Sequence, residues 1–182
     1  QPRGPKPLHA WSSELGGRPR ILVTNDDGIE SRGLFALKQA LDPIGETFVV
    51  APDTNQSAVG HQKTLMRPLR VRERELPDGS IGWSVDGSPT DAVSLAFLGF
   101  FDHGFDLVAS GINYGANLGD DITYSGTVSA AMEAVINGCP ALWVTTKSPE
   151  SRSRNVQRPP ERSGGFSLGT GNGTSLLSGS EC

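Results

Sequence analysis

Cysteine is nearly absent from this chain, which has only Cys139 and Cys182. Two thiols cannot build a disulfide framework, nor a structural zinc site, which takes four Cys or His ligands at close spacing. Unpaired thiols fit a reduced compartment. Histidine is equally scarce, at three residues, and no run of about 18 apolar residues exists to span a bilayer. The start, QPRGPKPLHAWSSELGGRPR, lacks the apolar core of a signal peptide. These absences point to a soluble, cytoplasmic protein with no membrane partner and a disordered leader over residues 1–19. Positive charge is lacking where nucleic acid would need it. Residues 1–20 carry +3 and residues 151–182 carry +2, but residues 21–150 sum to −9. A body so acidic offers no basic stripe to phosphates, so a nucleic-acid duplex is not an expected partner.

What is present suits one globular core: the hydrophobic share is 36%. RILVTN (20–25) reads as a buried strand, and Leu34, Leu37 and Leu41 behind it fall at helical spacing. TFVVAP (47–52) is a second strand, followed by the polar loop DTNQSAVGHQKT. Residues 64–85 alternate with period two around Pro77, Asp78 and Gly79, the pattern of a hairpin at a sheet edge. Ser88, Pro89 and Asp91 approximate a capping box before the apolar run AVSLAFLGFF, which predicts a helix there. DLVASGIN (106–113) and ALWVTT (141–146) are further strands, separated by a small-residue helix that stops near Gly138. Strands alternating with helices predict an α/β fold, a three-layer arrangement with a mostly parallel sheet. From Ser151 to Cys182, Ser, Gly and Pro supply 15 of 32 residues without any period. The expected organisation is therefore a leader (1–19), a folded domain (20–147) and a disordered tail (148–182).

In the stretch ILVTNDDGIES, two carboxylates stand side by side where a strand turns towards a helix. Adjacent like charges repel unless water separates them or a cation lies between them, and a divalent metal ion is the obvious candidate. In an open parallel sheet, ligands bind beyond the carboxyl ends of the strands. The loops carrying Asp26 and Asp27, Ser57, Asn113 with Asn117, and Ser125 all fall at that edge. Oxygen donors of this kind suit Mg²⁺, Mn²⁺ or Ca²⁺ rather than zinc. SGT at 125–127 opens a helix whose free amides could receive a phosphate, although a Gly-Ser turn is also ordinary loop chemistry. Asp120 and Asp121 read as a solvated pair, His61 and His103 as lone histidines, and Trp83, Phe97, Phe100 and Phe101 as packing residues.

The segments ILVTNDDGIESRGLFAL, VVAPDTNQSAVGH, VDGSPTDAV, LVASGINYGANLGDDITYSGTVSAAMEA and GCPAL, in that order, resemble the survival protein E (SurE) family of metal-dependent nucleotidases. The resemblance covers roughly residues 20–147. It implies a Rossmann-like fold and a hydrolase, a phosphomonoesterase that converts nucleoside 5′- and 3′-monophosphates to nucleoside and phosphate and extends in some members to short polyphosphate. It further implies one divalent ion, Mg²⁺ or Mn²⁺, held by Asp26, Asp27, Ser57 and Asn113. Asn117 and Ser125, with the amides of Gly126 and Thr127, would contact the substrate phosphate. Asn25 is a neighbour of the same site. Asp26 is the candidate general base, with Asp27 or no discrete base as alternatives.

The sequence departs from the family pattern at Ala58 and Ser129, both small, and above all in its tail. The family's C-terminal elements, which complete the sheet and build homodimers or tetramers, are not recognisable here. Two expectations follow: an active nucleotidase, or a catalytically impaired, truncated remnant that only binds nucleotide or metal.

Overall fold

The computed structural model describes residues 17–56, 60–114, 124–146 and 174–177, the last as backbone. Its centre is β1 (Arg20–Thr24), a run of β-branched and aliphatic residues buried over its last four positions. Helix α1 (Arg32–Leu41) returns the chain to β2 (Glu46–Pro52), parallel to β1 with Val23 opposite Val49. Next come β3 (Val71–Glu75) and β4 (Ile81–Val85), helix α2 (Pro89–Leu95), β5 (Leu107–Asn113), helix α3 (Gly126–Ile136) and β6 (Ala141–Thr146). Strand β7 (Thr174–Leu177) closes the sequence of elements. The sheet order is β3-β4-β2-β1-β5-β6-β7, with five parallel strands between antiparallel β3 and β7.

Side-chain alternation along the strands explains the layers. Ile21 and Val23 of β1 join Val49, Ala51 and Ala109 beneath the Leu34, Leu37 and Leu41 face of α1. Leu22 points the other way, with Val50 and Val108, against Ala92 and Val93 of α2 and Ala130 and Ala134 of α3. Both faces of the central strands are covered, so a sandwich of helix, sheet and helix follows from two-sided apolar strands. Truncating one of these leucines to alanine typically removes about 2–5 kcal/mol of stability. No helix among the described residues is long and apolar enough to cross a membrane.

The capping box forms as its spacing predicts: Ser88 Oγ accepts from the Asp91 amide at 3.1 Å, and Asp91 Oδ2 accepts from the Ser88 amide at 2.9 Å. Two expectations need correction. The apolar run after it is not one helix, because α2 gives way to a π-helical turn (Ala96–Phe100) in which Leu98 and Gly99 leave helical geometry. The change redirects Phe97, Phe100 and Phe101 into an aromatic cluster with Phe48, Trp83 and Phe105, where edge-to-face contacts replace helical periodicity. Part of the stretch read as a disordered tail is a strand, since β7 pairs antiparallel to β6 with Trp143 opposite Leu177. Main-chain groups on a bare β6 edge need partners, and four residues suffice to supply them without any side-chain period.

Charge within the core was also not anticipated. Lys38, in the apolar stripe of α1, is buried and bonds Asp42 at 2.9 Å and Asp78 at 2.6 Å, tying α1 to the β3–β4 turn. Burial works against the ammonium, but the hydrogen bonds it donates to Asp78 and Asp42 hold it above the ordinary lysine value of 10.5. Asp78 is held well below the carboxylate value of 3.8, first by the Lys38 hydrogen bond and then by that of Ser80. A depressed carboxylate stabilises the fold in full above its unfolded pKa and ceases to do so as pH falls through the folded one. Asp78→Asn is accordingly expected to lose about 1 kcal/mol at pH 7, with the difference from the parent closing below pH ~3. Urea unfolding at the two pH values checks this; an undiminished gap in acid would contradict the assignment.

Candidate active site

The chain leaves β1 to pair with β2 on one side and β5 on the other, so the crevice beyond the carboxyl ends of β1 and β5 is a topological switch point. Residues 25–28 turn there. Asn25 is fully buried and ties the turn to itself: its Oδ1 accepts from the Gly28 amide at 3.2 Å, and its Nδ2 donates to the Gly28 carbonyl at 3.1 Å and to Ser31 Oγ at 2.6 Å. Gly28 has φ +102°, and a Cβ there would stand 3.2 Å from the Thr54 carbonyl carbon, so both conformation and space call for glycine. The Ile29 amide donates to the Pro52 carbonyl at 2.8 Å and the Gln56 amide to the Asp26 carbonyl at 2.7 Å, which fastens the turn to the chain leaving β2.

The two carboxylates meet different neighbours. Asp26 is buried, and its Oδ1 accepts from the Thr127 hydroxyl at 2.5 Å. Its Oδ2 faces the first residue of α3, where a Cβ on Gly126 would lie 3.0 Å from Oδ2 and 2.7 Å from Asp26 Cβ. Helix α3 can approach this closely only because residue 126 has no side chain. Asp27 is half-buried, accepts from Asn55 Nδ2 at 3.2 Å and is reached by the Tyr114 main-chain N–H just beyond β5. Burial pushes its carboxyl above the ordinary value, the charge of Asp26 adds to the rise, and these two hydrogen bonds only partly oppose it. Ser125 caps α3 by accepting from the Val128 amide at 3.3 Å, which leaves its hydroxyl proton for another partner. The first amides of the helix have no partner within it and collect at an end that favours anions.

The family model described as "Survival protein SurE" matches residues 21–162. The chain belongs to the SurE family. It is 56% identical over 130 residues to "5'-nucleotidase SurE" of Chloroflexus aggregans, covering 71% of this chain and 51% of that protein. Against the protein of the same name from Pelotomaculum thermopropionicum it is 50% identical over 134 residues, covering 73% and 52%. The crystal structure of the SurE protein from Aquifex aeolicus superposes with a TM-score of 0.61 at 36% identity, covering 71% of this chain and 66% of that one. The chain thus spans about half the length of the curated relatives it matches.

Of the residues that the SurE resemblance singles out, the structure brings Asp26, Gly126 and Thr127 into contact and sets Asp27 against the segment that follows Asn113. Asn113 ends β5, its carbonyl accepting from the Thr146 hydroxyl at 3.2 Å. Ser125 stands at the head of α3, whereas Ser57 and Asn117, with Asp120 and Asp121, lie outside the described residues. Asn25 braces the turn. The Asn55 contact with Asp27 was missed, as was the Thr127 hydroxyl bond to Asp26, although Thr127 itself was singled out for its amide. His61 does have a partner, since its Nε2 lies 2.9 Å from Oε2 of Glu133. Glu133, also missed, could have been suspected because it shares a helical stripe with Ala130 and Ala134.

The donor set fits one hard cation. Among the described residues no group of three His, Cys, Asp or Glu could hold a metal, so a softer, zinc-like cage is not built here. Two adjacent carboxylates, one of them made unfavourable as an anion by burial and by the other, do fit a cation that takes further amide, hydroxyl or water oxygens. Gly126→Ala should push α3 away from Asp26, lowering stability by about 1–3 kcal/mol. Urea unfolding of the variant beside the parent checks this, and a parental value would refute the close-approach argument.

Proposed function

We propose that the chain is a metal-dependent phosphomonoesterase acting on nucleoside 5′- and 3′-monophosphates to give nucleoside and phosphate, with short polyphosphate as a further substrate. One observation carries this reading: the carboxylate pair at the end of β1 is built against the first turn of α3, through the Thr127 bond of 2.5 Å to Asp26. Cation ligands and phosphate-binding amides then share one crevice. Asp26, Asp27, Ser57 and Asn113 would hold Mg²⁺ or Mn²⁺, and Asn117, the Ser125 hydroxyl and the amides of Gly126 and Thr127 would hold the phosphate. The chemistry a bound divalent cation supplies is charge neutralisation at the phosphate and acidification of a water. Asp26, anchored by Thr127 on one oxygen, presents the other towards the phosphate end and takes the proton of the attacking water. A cleft of about 450 Å³ beside Asp27, lined by Arg32, Ala36, Ile112 and Tyr114, is large enough for the nucleoside.

Phosphate release from several nucleoside monophosphates, with Mn²⁺ or Mg²⁺ and with chelator, tests the reading on the full chain. The parent should need the metal, and Asp26→Asn and Asp27→Asn should each lose at least about 100-fold in kcat. A folded parent without metal-dependent turnover would move the reading to a remnant that only binds nucleotide or metal. Near-parental activity of Asp26→Asn would remove its role as base.

A further inference from the structure

Outside the crevice, and among the described residues, Glu133 on α3 gathers four side-chain partners. Its side chain is 2% exposed, and Oε1 accepts from Lys63 Nζ at 2.7 Å, Ser94 Oγ at 2.9 Å and Asn137 Nδ2 at 3.0 Å. Oε2 lies 2.9 Å from His61 Nε2. Burial raises the carboxyl's pKa, but the hydrogen bonds of Lys63, Ser94, His61 and Asn137 outweigh it and keep Glu133 below the usual range. His61 and Lys63 belong to the segment that follows β2, the same passage whose Asn55 and Gln56 hold Asp27 and the Asp26 carbonyl.

That passage, described at residues 53–56 and 60–64, is fastened in both of those stretches. Upstream it is bonded to the carboxylate turn. Downstream, the Gly60 amide donates to the Tyr124 carbonyl at 3.3 Å, immediately before the cap of α3, and Glu133 grips His61 and Lys63 farther along the same helix. Asp91 adds a second acidic anchor, accepting from the Thr64 amide at 2.9 Å and the Thr64 hydroxyl at 2.7 Å, and Ser88 Oγ donates to the Gln62 carbonyl at 2.5 Å. Glu133 is buried but Lys63 is half-exposed, and a pair of that kind is a poor route to stability; the best-attested use of a buried charge is to fix register.

We propose that Glu133 is a positioning residue: by drawing His61 and Lys63 onto α3, it sets the register between the segment after β2 and the head of α3, and so holds the Asp26–Asp27 turn against the helix end. The inference rests on the function proposed above, because that turn is taken as the cation site. Glu133 touches neither substrate nor metal and acts through the loop.

The discriminating variant replaces the pair by apolar side chains, Lys63→Met with Glu133→Met, in the full chain. Stability should stay within a few degrees of the parent Tm, while amide exchange at Gln56 and Gly60 accelerates and the Kd for Mn²⁺ alone rises about tenfold. Lys63→Ala, at a side chain 44% exposed, gives the same readouts should the double variant not fold. Unchanged exchange at Gln56 with unchanged Mn²⁺ affinity would overturn the proposal, and so would a fall in Tm with both readouts at parental values. A parent that binds no Mn²⁺ would defeat the metal reading instead. Exchange at Gln56 would then decide the linkage alone: acceleration upholds it, and parental exchange overturns it.

Discussion

The closeness of Asp26 to the start of α3 is the constraint on which the rest of the site depends. A carboxylate and a hydroxyl 101 positions apart in sequence meet at 2.5 Å, deep enough that both are buried. That distance needs β1 and β5 side by side, so that the chain leaving β5 enters α3 over the end of β1. It also needs glycine at 126, because any Cβ would occupy the space of the carboxylate. The Asn25 bracket around Gly28 supplies the other half by closing the turn with two hydrogen bonds. Charge, helix end and turn are one construction, and moving any part moves all three.

Such a construction is unfavourable in isolation. Two carboxylates are adjacent, and burial and its neighbour both push Asp27 towards the neutral form. Two features of the surrounding fold compensate. The strands that carry the turn and its neighbours, β1 and β5, are interior to the sheet and covered on both faces. The segments around them are tied by paired charges, Lys38 to Asp42 and Asp78 on one face and Glu133 to Lys63 on the other, where a hydrogen bond between Glu133 and His61 adds to the pair. Repulsion is concentrated where a cation would relieve it, and elsewhere the buried charges of these two clusters have opposite partners.

Much of this was legible in the sequence, and what was legible was local. Strands announced themselves by short apolar runs, α2 by its capping box and the end of α3 by Gly138. The Asp-Asp-Gly turn advertised two adjacent like charges at the end of a strand. Contacts across the fold left no such trace. Asn55 meets Asp27 from 28 positions away, Lys38 meets Asp78 across 40, and Glu133 meets Lys63 and His61 across 70 and 72. Side-chain type and spacing cannot announce a pairing set by the sheet order. The AVSLAFLGFF run misled for a related reason, since its aromatics satisfy helical periodicity but make edge-to-face contacts with Phe48 and Trp83 from two different strands.

The sheet order also ranks the molecule's tolerance to change. The described site residues hang from β1, from the exit of β2, from the end of β5 and from the head of α3, and β1, β2 and β5 are all interior strands. Among the described strands, the antiparallel β3 and β7 lie at the two edges, remote in the ladder from β1. A change at an edge alters pairing and solubility before it reaches the crevice, because at least one further strand must transmit it. A change at Gly28, Gly126 or Thr127 has no intervening layer to absorb it.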